Sequence, residues 1–267
     1  MNDDSALLET DLLYQRDSGL RSVEATVVGL EPESRLVALD RTVVFPGGGG
    51  QPSDAGMLTR LADDHQWPVV AARNAARVVW HELGGDVPLP EITERVRVDL
   101  DWERRYRLMR MHTALHALCG VVFRDYGALV TGGNMGPDRA RMDFEMDSAD
   151  FTPERVAEIE RRANEELRTG RDVHVRILPR DEAFQIPDLI RTKINLLPEG
   201  IPEVRTVEIV GLDLQADGGT HVQNTREVGT LRVVGTRSKG KANKRLEIEL
   251  ADPTGSSDPA TDEDQLA

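Results

Sequence analysis

Apolar residues in the first third of the chain come in short blocks separated by Gly- and Pro-bearing turns. Residues 22–30 (SVEATVVGL) are rich in β-formers, EPES follows as a turn, and RLVALD and TVVFP continue as short extended runs. The loop PGGGGQPSDAG (46–56), the run GMLTRL and the segment PVVAARNAARVVWHEL complete this part. Short strands punctuated in this way predict a small β-barrel-like domain over residues 1–95. At Asp101 the period changes. Leu108, Met111, Leu115, Leu118 and Val122 recur at steps of three and four, the stripe of an amphipathic helix with Asp101 as its N-cap. A second helix is predicted at 153–169, with Thr152 as N-cap, Pro153 in the first position and Gly170 past the end. Extended runs surround it: RARMDFEM (139–146), DVHVRILP (172–179) and EVRTVEIVGL (203–212). The segment LRVVGTRSKGKANKRLEIEL (231–250) reads as a hairpin with a basic tip. Residues 96–250 therefore form a two-layer α/β unit with helices on one face of a sheet, and the fold class is α+β.

Composition narrows the function. Apolar residues are 39% of the chain and aromatics 4%, so the cores must be mostly aliphatic. With 33 Lys and Arg against 47 Asp and Glu, the net charge of −14 argues against indiscriminate nucleic-acid binding, and no DNA partner is expected. Contact with a polyanion would have to come from local basic patches. Arg104, Arg107 and Arg110 share the first helix, and Lys239, Lys241 and Lys244 surround the late hairpin tip. Either group could touch phosphates or be an ordinary solvated face. Residues 251–267 are acidic and carry Pro, Gly and Ser, so a disordered tail is expected. No apolar run has membrane-spanning length, the N-terminus lacks signal-peptide order, and the single Cys119 excludes an intrachain disulfide. These features point to a cytoplasmic protein, and none of them indicates an oligomeric state.

The candidate chemistry is carried by histidines. His112 and His116 lie four residues apart on the first helix and project from one face, a spacing that suits two imidazoles on one metal ion. Asp217 and His221 stand in LQADGGTHVQNTREVG (214–229), where glycines allow a sharp turn. The four together offer N, N, O and N donors, a borderline set that fits zinc. Thr113 occupies the position where zinc peptidases of the HExxH type carry their glutamate, which disfavours that chemistry. The glycine run lacks a following Lys-Ser/Thr, so it is not a P-loop, and on composition alone it is a flexible barrel loop. His65, His81 and His174 have no sequence partners and read as structural or surface residues.

HTALHAL followed by GGTHVQNTREVG resembles the editing domain of alanyl-tRNA synthetases and the free-standing alanyl-tRNA editing proteins of the AlaX family. TVVFPGGGGQPSDAG resembles that family's glycine-rich motif in the same chain order, and RMDFEM and EVRTVEIVGLDLQ resemble the intervening strands. The motifs span most of residues 22–235. The chain has no room for an adenylate-forming domain, so it is similar to the medium-length, free-standing form. The resemblance implies a zinc-dependent aminoacyl-tRNA deacylase with one Zn2+ per chain, acting in trans on tRNA-Ala mischarged with serine or glycine. It makes residues 96–250 the editing domain. His112, His116 and His221 match the family's metal ligands, while Asp217 stands where many members have cysteine. The resemblance places Thr42, Gln51 and Asp217 at the reacting centre and has Gly48, Gly49, Gly50, Gln51 and Asp54 line the substrate pocket. Thr42 matches the threonine associated with the seryl hydroxyl. The departure at Asp217 leaves a second reading, a catalytically inactive tRNA-binding relative.

Overall fold

Six antiparallel strands close into the N-terminal barrel: β1 (Ser22–Glu31), β2 (Leu36–Leu39), β3 (Gly56–Arg60), β4 (Gln66–Ala75), β5 (Val78–Leu83) and β6 (Arg95–Leu100). Their order around the wall is β1-β2-β5-β4-β3-β6. This computed structural model describes residues 9–195, 197–238, 240 and 242–253. Strand β6 shows why such segments close. Val96 and Val98 are fully buried while Arg95 and Arg97 face solvent, the alternation of a half-buried strand. Val27, Leu39, Leu58, Trp67, Val79 and Val98 meet in one interior. Strand β6 pairs with both β1 and β3, so an end at residue 95 stops one strand short of closure. The long segment after residue 66 is two strands, joined at Ala76 and Arg77 with φ of 50° and 69°, the left-handed pair that a tight hairpin turn requires.

The second part starts at helix α1 (Trp102–Tyr126). The Asp101 carboxylate accepts the Arg104 N–H at 3.1 Å, and Gly127 ends the helix at φ 65°. The predicted stripe is buried, and so is nearly every other residue from Leu108 to Val122. The helix is enclosed because it packs against helix α2 (Pro153–Thr169) and against strands behind it, while Arg105 reaches the barrel. Helix α2 has the bounds and caps read from sequence: Thr152 Oγ1 accepts the Arg155 N–H at 3.3 Å, and Gly170 has φ 74°. It buries Ile159, Ala163 and Leu167 in the core shared with α1.

Seven further strands form two antiparallel sheets rather than one: β7 (Val130–Met135), β8 (Arg139–Glu145), β9 (Val173–Pro179), β10 (Glu203–Ile209), β11 (Asp213–Ala216), β12 (Thr230–Ser238) and β13 (Asn243–Ala251). The four-stranded sheet runs β12-β13-β8-β7 and the three-stranded sheet β9-β10-β11. The architecture is α+β with a barrel and an α/β part, as the pattern predicts. Of the expected acidic tail, Ala251 ends β13, and residues 254–267 lie outside the described residues.

A buried ion pair joins the barrel to α1. Arg105 and Asp54 both have 0% side-chain exposure, and Arg105 Nε donates to Asp54 Oδ1 at 2.9 Å. The guanidinium also donates to the carbonyls of Val43 and Ser18, and Asp54 Oδ2 accepts the Phe45 N–H at 2.6 Å. Such a pair persists only when its remaining hydrogen-bonding capacity is met in this way.

Candidate metal centre

Strand β11 delivers the chain into Asp217-Gly218-Gly219-Thr220-His221, beside the His112 ring. Asp217 Oδ1 accepts the Gly219 N–H at 2.7 Å, closing the turn on itself. Its Oδ2 stands 3.3 Å from His112 Nε2 and 3.1 Å from His221 Nε2. The two imidazoles stack with centroids 4.3 Å apart. One ligand atom from each of His112, Asp217 and His221 lies within 4.8 Å of the others. Gly219 permits this approach, because a Cβ there would sit 2.2 Å from His112 Cε1.

His116 stands beside this group rather than within it. Its ring meets His221 edge-on at 5.5 Å, and its Nε2 lies 3.4 Å from Asp213 Oδ2. Asp213 is itself held by Arg191, whose Nη2 donates at 2.6 Å. The fourfold convergence expected from sequence is therefore threefold, because a buried carboxylate at the start of β11 lies against the second histidine. Asp213 carries no motif that marks it in the sequence. Thr113 was likewise silent, read only as a missing glutamate. Its hydroxyl lies 3.1 Å from His221 Nδ1 and accepts the Val222 N–H at 3.3 Å, which fixes the His221 ring with Nε2 toward Asp217.

The electrostatics suit a cation. Burial pushes His221 down to about 3, with the neighbouring His112 adding to the effect, and burial also lowers His112. Both are neutral at pH 7, the form that ligates. Burial alone would raise Asp217, but the adjacent imidazoles and the hydrogen bond with His221 outweigh it and hold the carboxyl well below the usual range. Among the described residues, Nδ1 of His112 and Nδ1 of His116 are buried with no hydrogen bond of good geometry, while His116 Nε2 faces Asp213. Unsatisfied buried nitrogens around a carboxylate fit a metal ion better than they fit a closed polar core.

The glycine run is an ordered turn. Gly47, Gly48, Gly49 and Gly50 all have positive φ, and Gly48 and Gln51 exchange backbone hydrogen bonds at 3.0 and 2.9 Å. Only glycine accepts four such residues in succession without strain. The turn presents Gln51 to the metal loop: its Nε2 donates to Thr220 Oγ1 at 2.8 Å and its Oε1 accepts the Thr220 N–H at 3.1 Å. On the other side, Gly50 O accepts the Met135 N–H at 3.0 Å.

Residues 204–247 match the family model described as the threonyl and alanyl tRNA synthetase second additional domain, a stretch that includes Asp217 and His221. The chain is 37% identical over 237 residues to the alanyl-tRNA editing protein AlaX-M of Saccharolobus solfataricus, covering 89% of this chain and 97% of the relative. It is 36% identical over 245 residues to the AlaX-M protein of Methanosarcina barkeri, covering 91% and 100%. The chain belongs to the AlaX-M family of alanyl-tRNA editing proteins. It is also 35% identical over 244 residues to the alanine–tRNA ligase of Ignicoccus hospitalis, covering 90% of this chain but 26% of that ligase. A module like this AlaX-M chain is thus one part of a longer synthetase.

The other residues singled out from the AlaX motifs fall in different places. Gln51 and the glycine turn adjoin the metal loop. Thr42 is fully buried in the barrel part, where its Oγ1 lies 2.8 Å from His81 Nε2 and accepts the Val44 N–H at 3.0 Å. His81 Nδ1 lies 3.1 Å from Val37 O and so carries the proton, which makes the Thr42 hydroxyl the donor to Nε2. The Thr42 donor is thus engaged and its side chain has no exposure. Asp54 is occupied by Arg105 and Phe45. Among the basic residues, Arg110 is buried and donates to Val228 O and Asp252, Arg104 donates to Ser53 O, and Arg107 pairs with Asp138. Lys244 is a correction: its side chain is buried, with Nζ donating to Ser148 Oγ, Ser238 Oγ and Gly240 O, so it braces the hairpin instead of facing phosphate. Lys239 and Lys241 lie outside the described residues. Cys119 is buried and free. No helix among the described residues is long and apolar enough to cross a membrane.

Proposed function

We propose that this AlaX-M protein is a trans-acting editor that hydrolyses the ester joining serine, or glycine, to the 3′ end of tRNA-Ala. It holds one zinc ion through His112, Asp217 and His221, with His116 beside them. The supporting observation is the meeting of two neutral imidazoles and an ionised carboxylate at one partly exposed point, among buried nitrogens without partners. Two nitrogens and one oxygen are a common set for zinc, and when bound the ion supplies Lewis-acid polarisation of the ester carbonyl and lowers the pKa of bound water toward about 7. The chain's own residues set the geometry. Thr113 can turn its hydroxyl to accept from His221 Nδ1–H once Nε2 faces the cation, because a hydroxyl both donates and accepts. Gln51 fixes Thr220 between the two ligands of the loop. A groove of about 670 Å³ touches His221 and is lined by both basic and acidic side chains, Arg16 and Arg176 beside Asp17, Asp172 and Glu227, while His112 and Asp217 are not in its lining.

The test is deacylation of Ser-, Gly- and Ala-tRNA-Ala, with metal content measured on the same protein. Seryl or glycyl ester should be cleaved and alanyl ester spared. His112→Ala and His221→Ala should each lose metal and turnover. Full zinc occupancy and wild-type rates in both variants would sink the site. Wild-type protein that binds tRNA-Ala without cleaving any ester would establish a binding relative instead of a hydrolase.

A further inference from the structure

Arg205 is a buried cation, 8% exposed, on strand β10. Among the described residues it has no carboxylate partner; its hydrogen bonds go to carbonyls. Nη1 donates to Asp217 O and to Gly219 O, both at 2.8 Å, and Nε donates to Gln15 O at 2.9 Å. Its own carbonyl accepts the Asp217 N–H at 3.1 Å. Nη2 is buried and has no hydrogen-bond partner among the described residues. The nearby Asp217 carboxylate offsets part of the desolvation of this guanidinium, but with no ion pair formed the burial is a poor route to stability. The placement is better explained by what the carbonyls belong to: the first and third residues of the turn that carries Asp217 to His112.

We propose that Arg205 is the positioning residue of the metal loop. Its Nη1 draws the Asp217 and Gly219 carbonyls to one side of the turn while Nε holds the Gln15 carbonyl, which directs the Asp217 carboxylate and the Gly219 Cα toward His112. Lysine cannot reproduce this, since its one nitrogen cannot hold both the loop carbonyls and the Gln15 carbonyl from two fixed positions of a plane. The anchor on the far side is the N-terminal segment. Gln15 receives Nε, and three residues later Ser18 Oγ accepts the His221 N–H at 3.5 Å while its carbonyl receives Arg105. The loop is thereby tied at both ligands to a segment distant in sequence. This role rests on the reading of His112, Asp217 and His221 as a metal centre, but the loop geometry can be measured with or without an ion.

The experiment uses full-length wild type, Arg205→Met and Arg205→Lys, alone and with Asp217→Ala. Hydrogen exchange of the metal-free proteins reports the amides of residues 217–221, and competition with a chromophoric chelator gives Zn2+ and Co2+ affinity. The visible Co2+ spectrum reports the ligand set. Arg205→Met should speed exchange of the loop, weaken both ions about tenfold and change the Co2+ spectrum, as expected when a ligand's support is removed. Arg205→Lys should fall between it and wild type, and it carries the test if the methionine variant does not fold. In the Asp217→Ala background, Arg205→Met should cost no further affinity. Unchanged loop exchange, or an equal loss of affinity with and without Asp217, would overturn the proposal. Wild type that binds neither ion would refute the metal reading, and loop exchange would then decide Arg205 on its own.

Discussion

Gly218 and Gly219 are adjacent and chemically identical, yet the structure assigns them opposite tolerance. A Cβ on Gly219 would lie 2.2 Å from His112 Cε1, 2.3 Å from its Nδ1 and 2.6 Å from Gln51 Oε1, where ordinary contact begins at 3.4 Å. A Cβ on Gly218 would meet nothing within 4 Å. Neither glycine has positive φ, so backbone strain contributes to neither substitution. Clearing the clash in Gly219→Ala takes a shift of about 1 Å, and helix α1 does not yield because the residues around His112 are buried. Either the imidazole rotates off Asp217 or the loop withdraws, and each outcome removes a donor from the centre. Overpacking of this kind costs about 2 kcal/mol, which at the ligand corresponds to about thirtyfold weaker metal binding. Gly218→Ala should stay within about twofold. Chelator competition with Zn2+ on the three proteins, with metal-free melts as a control for folding, measures both. Wild-type affinity in Gly219→Ala, or equal impairment of both variants, would refute the geometry.

Three further outcomes follow from buried groups. Asp54→Asn leaves Arg105 buried without its countercharge and should lower the unfolding free energy by about 3–5 kcal/mol in urea; wild-type stability would show that the pair is dispensable. Thr42→Val strands the Val44 N–H and His81 Nε2, so it should cost about 1–3 kcal/mol while leaving the ratio of seryl to alanyl cleavage unchanged. A changed ratio would place Thr42 at the substrate after all. Burial pushes His81 down to about 4, whereas in the unfolded chain it takes up its proton near the ordinary imidazole value of 6.5. Stability from this group is therefore complete above about pH 6.5 and declines as pH falls toward 4, by about 3 kcal/mol in all. The wild-type slope over that window should flatten in His81→Gln, and parallel pH profiles would contradict it.

Features settled by neighbours in sequence were legible before any coordinates. Asp101, Thr152 and Gly170 bracket helices because capping is decided within a few residues, and both helix starts fall where those residues put them. His112 and His116 share a helix face for the same local reason. What the pattern did not carry was the partner across the fold. Asp213 stands against His116, Thr113 contacts His221 from 108 residues away, and Gln51 reaches Thr220 across 169 residues. Lys244 looked like one more cation on a hairpin tip, and only the packing of Ser148 over it reveals a brace. The glycines draw the boundary most sharply. Gly47 to Gly50 are required by their own backbone angles, a need that four in a row announce. Gly219 has an unremarkable φ and is required by a histidine on another element. A sequence shows the same letter for both, and the two demands separate only under substitution: an alanine in the 47–50 turn strains its own residue, whereas an alanine at 219 displaces the histidine 107 positions earlier.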